Sequence, residues 1–301
     1  MMRLGIIGGA GALGSTAAFY VAAGGFVDEI ILYDIRENYA RSHAMDLDQG
    51  VSDITATVVS AGDLGALKEC EIIICTAGVQ EDGRASRDEY LIDNLPIYRA
   101  LADEIKSWGV YPIIITATNP IDVLNYKLYE YIGGPRGRYL GFSRNDTVRF
   151  QWAIANELGL PGTAVEALVL GEHGDCSVPI FSSVKRKDTG EPITLADGQR
   201  QAVLTKIRSW FSEMLTLKTT RTMAWTSGIG LGMMVEAIVR ESDTVIPCSC
   251  IPDGEYGLGG VSLGLPLRLG KSGVREIVEL GLDETEAEGL AAAAKKIKSL
   301  I

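Results

Sequence analysis

Residues 6–14 read IIGGAGALG. Gly9, Gly11 and Gly14 fall there in G-x-G-x-x-G order, between the apolar run RLGIIG and the small-residue stretch ALGSTAAFYVAAGG. The spacing predicts a strand that turns sharply into a helix. A turn of this kind lets backbone approach a ligand closely, and its third glycine lets the helix pack on the strand. The helix start then presents unpaired N–H groups and a positive dipole end, which suit phosphate. Alone the pattern is weak, because the chain has 35 glycines. Asp34 strengthens it, standing at the end of the next apolar run, EIILYD, where an acid accepts hydrogen bonds from a ribose. Together these residues predict a dinucleotide site. Asp34 would repel the extra phosphate of NADP and so favours NAD, although Arg36 nearby could attract that phosphate.

Outward from the turn, apolar runs and helical stretches alternate. EIILYD, ITATVVS, EIIICTAG, YPIIITATNP and RYLGF read as strands, several apolar throughout, as strands covered on both faces are. Residues 37–50 and 87–108 read as helices. The alternation predicts an α/β fold, a Rossmann doubly wound parallel sheet with right-handed crossovers. The second half changes character. It reads as a helix over about 146–158, a strand entering GEHGD, and a hairpin turned at Asp188-Thr189-Gly190. Helices follow over 197–219 and 222–240, then strands around TVIPCSCI and VSLGLPLRLG, then a last helix. This predicts an α+β substrate or catalytic domain over 144–301, after a dinucleotide domain over 1–143.

Composition bounds the partners. The chain has 301 residues, 47% hydrophobic and 22% charged, enough for a substantial core. Its net charge is -11, which argues against nucleic acid. The one compact basic run, KRK at 185–187, precedes DTG and reads as a solvated hairpin end. No run approaches the ~20 apolar residues of a spanning helix, so no membrane partner is expected. Of the five cysteines none forms C-x-x-C, and Cys248 and Cys250 alternate as apolar fillers on one face of a strand. An odd number of cysteines without a secretory leader suggests reduced thiols in the cytoplasm. No metal set is visible. Cys176 lies three residues beyond His173 with no further ligands in view.

The chain has only two histidines. His43, in the helical ARSHAMDL, reads as a helix-face residue, with a subunit contact as its other reading. His173 stands at a strand-to-loop junction, LVLGEHGDCSVP. At these residues the chain resembles the L-lactate/L-malate dehydrogenase family. GGAGALG, LYD, AMDLDQG, TAG…SRDEYL, TATNPIDVL, DTVRF, GEHGDCSVP and GEYGLGGVSLGLPLRLGKSGV match its landmarks in order, across essentially all of the chain. The resemblance implies an NAD-dependent oxidoreductase interconverting an L-2-hydroxy acid and its 2-oxo acid. It implies His173 as acid–base, Asp146 as its partner, Arg149 as the grip on the substrate carboxylate and Arg87 as the group that polarises the carbonyl. Asn119 would bond the substrate oxygen and help seat the nicotinamide. Ala77, Gly78 and Asn94 would line the cofactor site, and Thr222 the pocket wall, at a spacing off by about one residue. A homodimer or homotetramer is implied by resemblance alone. The run GFSRNDTVRF departs from the family at Arg144 and Asn145.

The loop TAGVQEDGRASR, residues 76–87, bears on the substrate. In the family the sixth residue from the threonine faces the substrate side chain, arginine in malate enzymes and usually glutamine in lactate enzymes. Here it is Glu81, with no gap needed. Like charges ~4 Å apart at a partly screened site repel by up to ~4 kcal/mol. Three readings stay open: a 2-oxo acid with a cationic or hydrogen-bond-donating tail recognised by Glu81; a neutral, lactate-like acid with Glu81 turned to solvent; and malate, with Arg84 swung in. Two other classes stand beside the dehydrogenase. A binding protein on a retired dehydrogenase fold would have lost catalytic residues that are present here. A metal- and NAD-dependent glycosidase would need a ligand set.

Overall fold

The computed structural model describes residues 1–79, 87–218 and 223–301, with the side chains of Arg87, Phe211 and Leu215 outside the description. Glu81, Arg84 and Thr222 therefore lie outside the described residues, as do the three substrate readings that turn on them.

The first half follows the predicted alternation. Strands β1 (Arg3–Ile7), β2 (Glu29–Tyr33), β3 (Val58–Ala61), β4 (Ile72–Cys75), β5 (Ile113–Thr116) and β6 (Tyr139–Gly141) alternate with helices α1 (Ala12–Gly24), α2 (Glu37–Val51), α3 (Leu91–Ser107) and α4 (Ile121–Ile132). All six strands pair in parallel, in the order β3-β2-β1-β4-β5-β6. The order reverses beside β1, so the glycine turn opens at the switch point of the sheet, where such folds leave a crevice.

Alternation along β4 shows why the strand is apolar throughout. Ile72 and Ile74 join a core with α1 residues Ala17 and Val21. Ile73 and Cys75 join a second core with Tyr98 and Ile105 of α3 and Leu124 and Leu128 of α4. Helices cover both faces, and each buried isoleucine contributes roughly 1.5–3 kcal/mol over its exposed state.

The second half contains α5 (Arg144–Leu158), β7 (Val165–Gly171), β8 (Ser177–Arg186), α6 (Asp197–Thr216), α7 (Trp225–Arg240), β9 (Ile246–Cys250), β10 (Leu263–Gly270), β11 (Gly273–Ile277) and α8 (Glu284–Lys298). Its strands are antiparallel and continue the first sheet, through one pair, Gly141↔Ser249, between β6 and β9. Among the described residues, eleven strands thus form a single sheet.

Three expectations needed correction. The hairpin turns at 188–190, but its return arm is not a strand. It keeps two ladder bonds, Arg186 N to Glu191 O at 2.8 Å and Ile193 N to Val184 O at 2.9 Å. Pro192 between them has no N–H to extend the ladder, and β8 pairs with β7 instead. The last sheet run is two strands, because a turn after Gly270 folds β11 back on β10. The helix expected from residue 87 begins as a 3-10 turn, Arg87–Tyr90, before α3. Cys248 and Cys250 are buried fillers as expected, and no described helix is long and apolar enough to cross a membrane.

Candidate active site

The glycine turn is held by backbone. Gly8 and Gly9 both donate to Tyr33 O, at 2.8 and 2.9 Å, and Gly11 donates back to Gly8 O at 2.9 Å. Gly8 has φ +83, the left-handed region that glycine occupies without strain. A Cβ on Gly14 would stand 2.4 Å from Gly8 O, so only glycine fits the third position of the motif. Gly8, not counted in the motif, proves as constrained as the other three. Helix α1 starts at this turn with Gly11 as its cap, no side-chain cap and no acid in its first turn. Its first N–H groups thus point from the turn without a competing anion, which fits a pyrophosphate.

Asp34 follows β2 directly and is 6% exposed. Its Oδ2 accepts from Ala10 N at 3.1 Å, and its Oδ1 accepts from Arg36 N and Nε at 3.0 and 3.2 Å. Burial alone would push its carboxyl upward. Hydrogen bonds from Arg36 and Ala10, with the guanidinium charge, outweigh burial and hold it below the usual carboxylate range. Arg36 also donates to Ala10 O at 3.3 Å, so its charge is committed to Asp34 and the turn. The cradle of glycines, the bare helix start and an ionised acid beside them fit NAD.

Across the crevice, Asn94 ties three segments together. It is 2% exposed. Its Oδ1 accepts from Val79 N at 2.8 Å and its Nδ2 donates to Asn119 O at 2.8 Å. Thr118 Oγ1 donates to Ala77 O at 2.8 Å. A Cβ on Gly78 would lie 2.5 Å from Thr118 Cγ2. Ala77, Gly78, Asn94 and Asn119 are therefore brought together at the carboxyl ends of β4 and β5.

The second cluster is assembled from distant elements. Helix α5 lies on β7, pinned where Thr147 Oγ1 accepts from Val169 N at 2.9 Å and Gln151 Nε2 donates to Ala167 O at 2.9 Å. Asp146, in the first turn of α5, thereby reaches the loop after β7. His173 Nδ1 lies 2.6 Å from Asp146 Oδ2, and the imidazole is almost fully buried. A carboxylate only accepts, so Nδ1 carries the proton and Nε2 is left as the acceptor. Arg149, one helical turn on, places Nη1 3.4 Å from Asp146 Oδ1, so the i,i+3 spacing does put both on one side. The Arg149 guanidinium lies over the ring of Trp210 on α6, 4.6 Å from its centroid. The sequence offered no sign of Trp210, because an aromatic on an amphipathic helix reads as core.

The His173 loop is braced on two sides. Asp122, on the first turn of α4, accepts from His173 N at 2.7 Å. Glu172 accepts from Cys176 N at 2.8 Å and pairs with Lys296 of α8 at 2.6 Å, and Lys296 also meets Asp88 at 3.1 Å. Desolvation would lower the Lys296 ammonium, but the two carboxylates raise it above its usual range. Asp122, Glu172 and Lys296 were not singled out from sequence. An acid early in a helix reads as dipole complement, and a lysine in a last turn likewise.

Arg87 heads the 3-10 turn beside Asp88. His43 sits half-buried on α2, with Nδ1 lacking a partner among the described residues. Cys70 and Cys75 are buried in the core. Burial pushes Cys75 up to about 12, and desolvation, with Glu71 adding, does the same to Cys70.

Comparison with known proteins gives the family. Residues 2–141 match the lactate/malate dehydrogenase NAD binding domain and residues 144–301 the alpha/beta C-terminal domain of the same family. The malate dehydrogenase of Halobacterium salinarum is 34% identical over 302 residues, spanning 99% of this chain and 98% of that protein. That of Haloferax volcanii is 32% identical over 301 residues, with the same coverage. Among solved structures, Cryptosporidium parvum malate dehydrogenase superposes with a TM-score of 0.92 at 26% identity, covering 99% of this chain and 97% of that one. The minor L-lactate dehydrogenase of Enterococcus mundtii gives 0.89 at 26% identity, again covering 99% and 97%. The chain belongs to the lactate/malate dehydrogenase family, NAD-dependent oxidoreductases that act on the CH–OH group of a 2-hydroxy acid.

Proposed function

We propose that His173 is the acid–base of this dehydrogenase, Asp146 its orienting partner and Arg149 the grip on the substrate carboxylate. The observation that carries the reading is the 2.6 Å contact between His173 Nδ1 and Asp146 Oδ2, with Arg149 on the same carboxylate. Oxidation of a 2-hydroxy acid removes a proton from oxygen and a hydride from carbon. His173 Nε2 takes the proton, and Asp146 stabilises the resulting imidazolium. Arg149, its plane set by Trp210 and Asp146, pairs with the carboxylate in a two-point fork that fixes which face of C2 is presented. Bound NAD supplies the hydride acceptor. Gly9, Gly11, Gly14 and Asp34 would hold its adenosine and pyrophosphate end, and Ala77, Gly78, Asn94 and Asn119 the crevice toward the nicotinamide. Arg87, by resemblance, polarises the carbonyl, and Thr222 lines the pocket. The division of labour is residues 1–143 for the cofactor and 144–301 for the substrate, in a homodimer or homotetramer.

For the substrate, the reading rests on Glu81. An acid in the place where malate enzymes carry arginine favours a 2-oxo acid with a cationic or hydrogen-bond-donating tail over a dicarboxylate. A second reading, malate held through Arg84, is favoured by relatives named malate dehydrogenase. A neutral, lactate-like acid is the third outcome. The test is NADH oxidation across 2-oxo acids with cationic, neutral and anionic tails, repeated with Glu81→Gln. Unchanged turnover of the cationic acids in that variant would sink the Glu81 reading. Preference for oxaloacetate, lost in Arg84→Gln, would establish the second.

A further inference from the structure

We propose that Asp122 is a positioning residue for the reaction, a buried carboxylate that fixes the backbone of His173 and supports its imidazolium alongside Asp146. The inference rests on His173 being the acid–base.

The geometry is specific. Asp122 is 3% exposed and lies in the first turn of α4, two residues after Pro120. Its Oδ2 accepts the His173 N–H at 2.7 Å, fifty-one residues away in the chain. That bond ties the cofactor half of the molecule to the main chain of the base. The other oxygen, Oδ1, is buried without a donor in hydrogen-bonding geometry among the described residues. Only neutral donors face this buried carboxylate, the His173 N–H and the Ser249 hydroxyl, a poor return that a purely structural cap would avoid. A net negative field is left beside the His173 loop, where an imidazolium forms in each turnover.

The surroundings agree. Burial pushes the Asp122 carboxyl up to about 6, against the Ser249 hydroxyl and the His173 N–H, which favour the ionised form. It is ionised above that pH. The titratable groups facing it are His173 and Glu172 from the loop after β7 and Cys250 from β9, with Asp146 and Arg149 of α5 beyond the imidazole. Asp122 and Asp146 thus contact His173 at two different atoms, backbone N and ring Nδ1. The first sets where the ring starts and the second how it is turned.

The experiment uses the full-length enzyme, NADH and the 2-oxo acid of highest turnover. Asp122→Asn keeps the shape and an acceptor oxygen but removes the charge. Asp122→Ser shortens the side chain. NADH affinity, read by fluorescence, is expected to stay within about twofold, because neither change touches the glycine turn. kcat is expected to fall about 10- to 100-fold, as when an outer partner of a reacting group is removed. The alkaline limb of the reductive pH–rate profile is expected to move down by about half a pH unit, since loss of a nearby negative charge releases the imidazolium proton earlier. Ser249→Ala, which leaves Asp122 in place but disfavours its ionisation, moves that limb the same way by less. A native kcat and native pH profile in Asp122→Asn overturn the proposal. If both Asp122 variants fail to fold, an unmoved limb in Ser249→Ala overturns it. His173→Asn is run alongside. Retained turnover there would remove the acid–base assignment itself, whereas its loss beside a native Asp122→Asn would overturn the Asp122 role alone.

Discussion

The glycine turn at 8–14 and the cluster around His173 solve different problems. The turn is made of neighbours in sequence, held by backbone hydrogen bonds and by the exclusion of side chains. The His173 cluster draws Asp122 from α4, Asp146 and Arg149 from α5 and Trp210 from α6. It is held by charge and hydrogen bonding between elements that are not neighbours in sequence. The first is a matter of steric room, and a single methyl group can spoil it. The second is a matter of electrostatic alignment, and shape-preserving changes should damage it while the fold survives.

The largest effect should separate the two. His173→Asn is expected to lower kcat at least 10³-fold with NADH affinity near native, as steady-state and fluorescence titrations would show. A comparable loss of NADH binding would break the comparison. Gly14→Ala is expected to do the reverse. Its Cβ meets Gly8 O at 2.4 Å, so the turn must shift. NADH affinity should fall at least tenfold, with a stability loss of about 1–3 kcal/mol by urea denaturation.

A third prediction concerns pH. The Asp122 carboxyl is raised by burial from 3.8 to about 6 in the folded chain. A raised group holds its proton more tightly when folded, so its contribution is present below pH ~4 and lost as pH rises through about 6. Two pH units correspond to about 3 kcal/mol. Asp122→Asn, which never ionises, should therefore gain stability relative to native by roughly that amount between pH 4 and 7.5, measured by urea midpoints. A constant difference across that range would show that the carboxylate is not held at a cost. The smallest effect is expected at Trp210. Its replacement by leucine removes a cation–π contact worth ~0.5–2 kcal/mol. KM for the 2-oxo acid should rise about 3- to 10-fold with kcat within twofold. A fall in kcat at constant KM would mean that the ring aligns the reaction and does more than steady Arg149.

The same contrast decides what could be read in the sequence. The alternation of the first half, the turn, and Asp34 were legible because each is a local pattern with a local cause. His173, Asp146 and Arg149 were legible through resemblance, and the i,i+3 spacing then placed Asp146 and Arg149 on one side. Asp122 and Trp210 were not, since each meets its partner only after the sheet is closed. β11 escaped because it is a short edge strand, half exposed, with no apolar alternation. The return arm at 191–193 was overcalled because its turn is real while Pro192 denies it a ladder.

Helix α4 carries one more tie besides Asp122. Asn125, fully buried, donates to Tyr139 O at 3.2 Å and to Ser262 Oγ at 2.9 Å, and accepts from Thr116 Oγ1 at 3.3 Å. Thr116 and Tyr139 belong to the parallel half, and Ser262, bonded to Ser249, to the antiparallel half. The two halves therefore cannot slide past one another without stripping a buried amide of its partners, at about 1–3 kcal/mol for each group left unpaired. Hydride transfer tolerates little error in distance, since a misplacement of ~1 Å can cost 10²-fold in rate. The seam under α4 works as a fixed gauge. It makes the spacing between the glycine turn and the His173 loop a property of the frame, so hinge bending between the halves is a costly way for this enzyme to gate its chemistry.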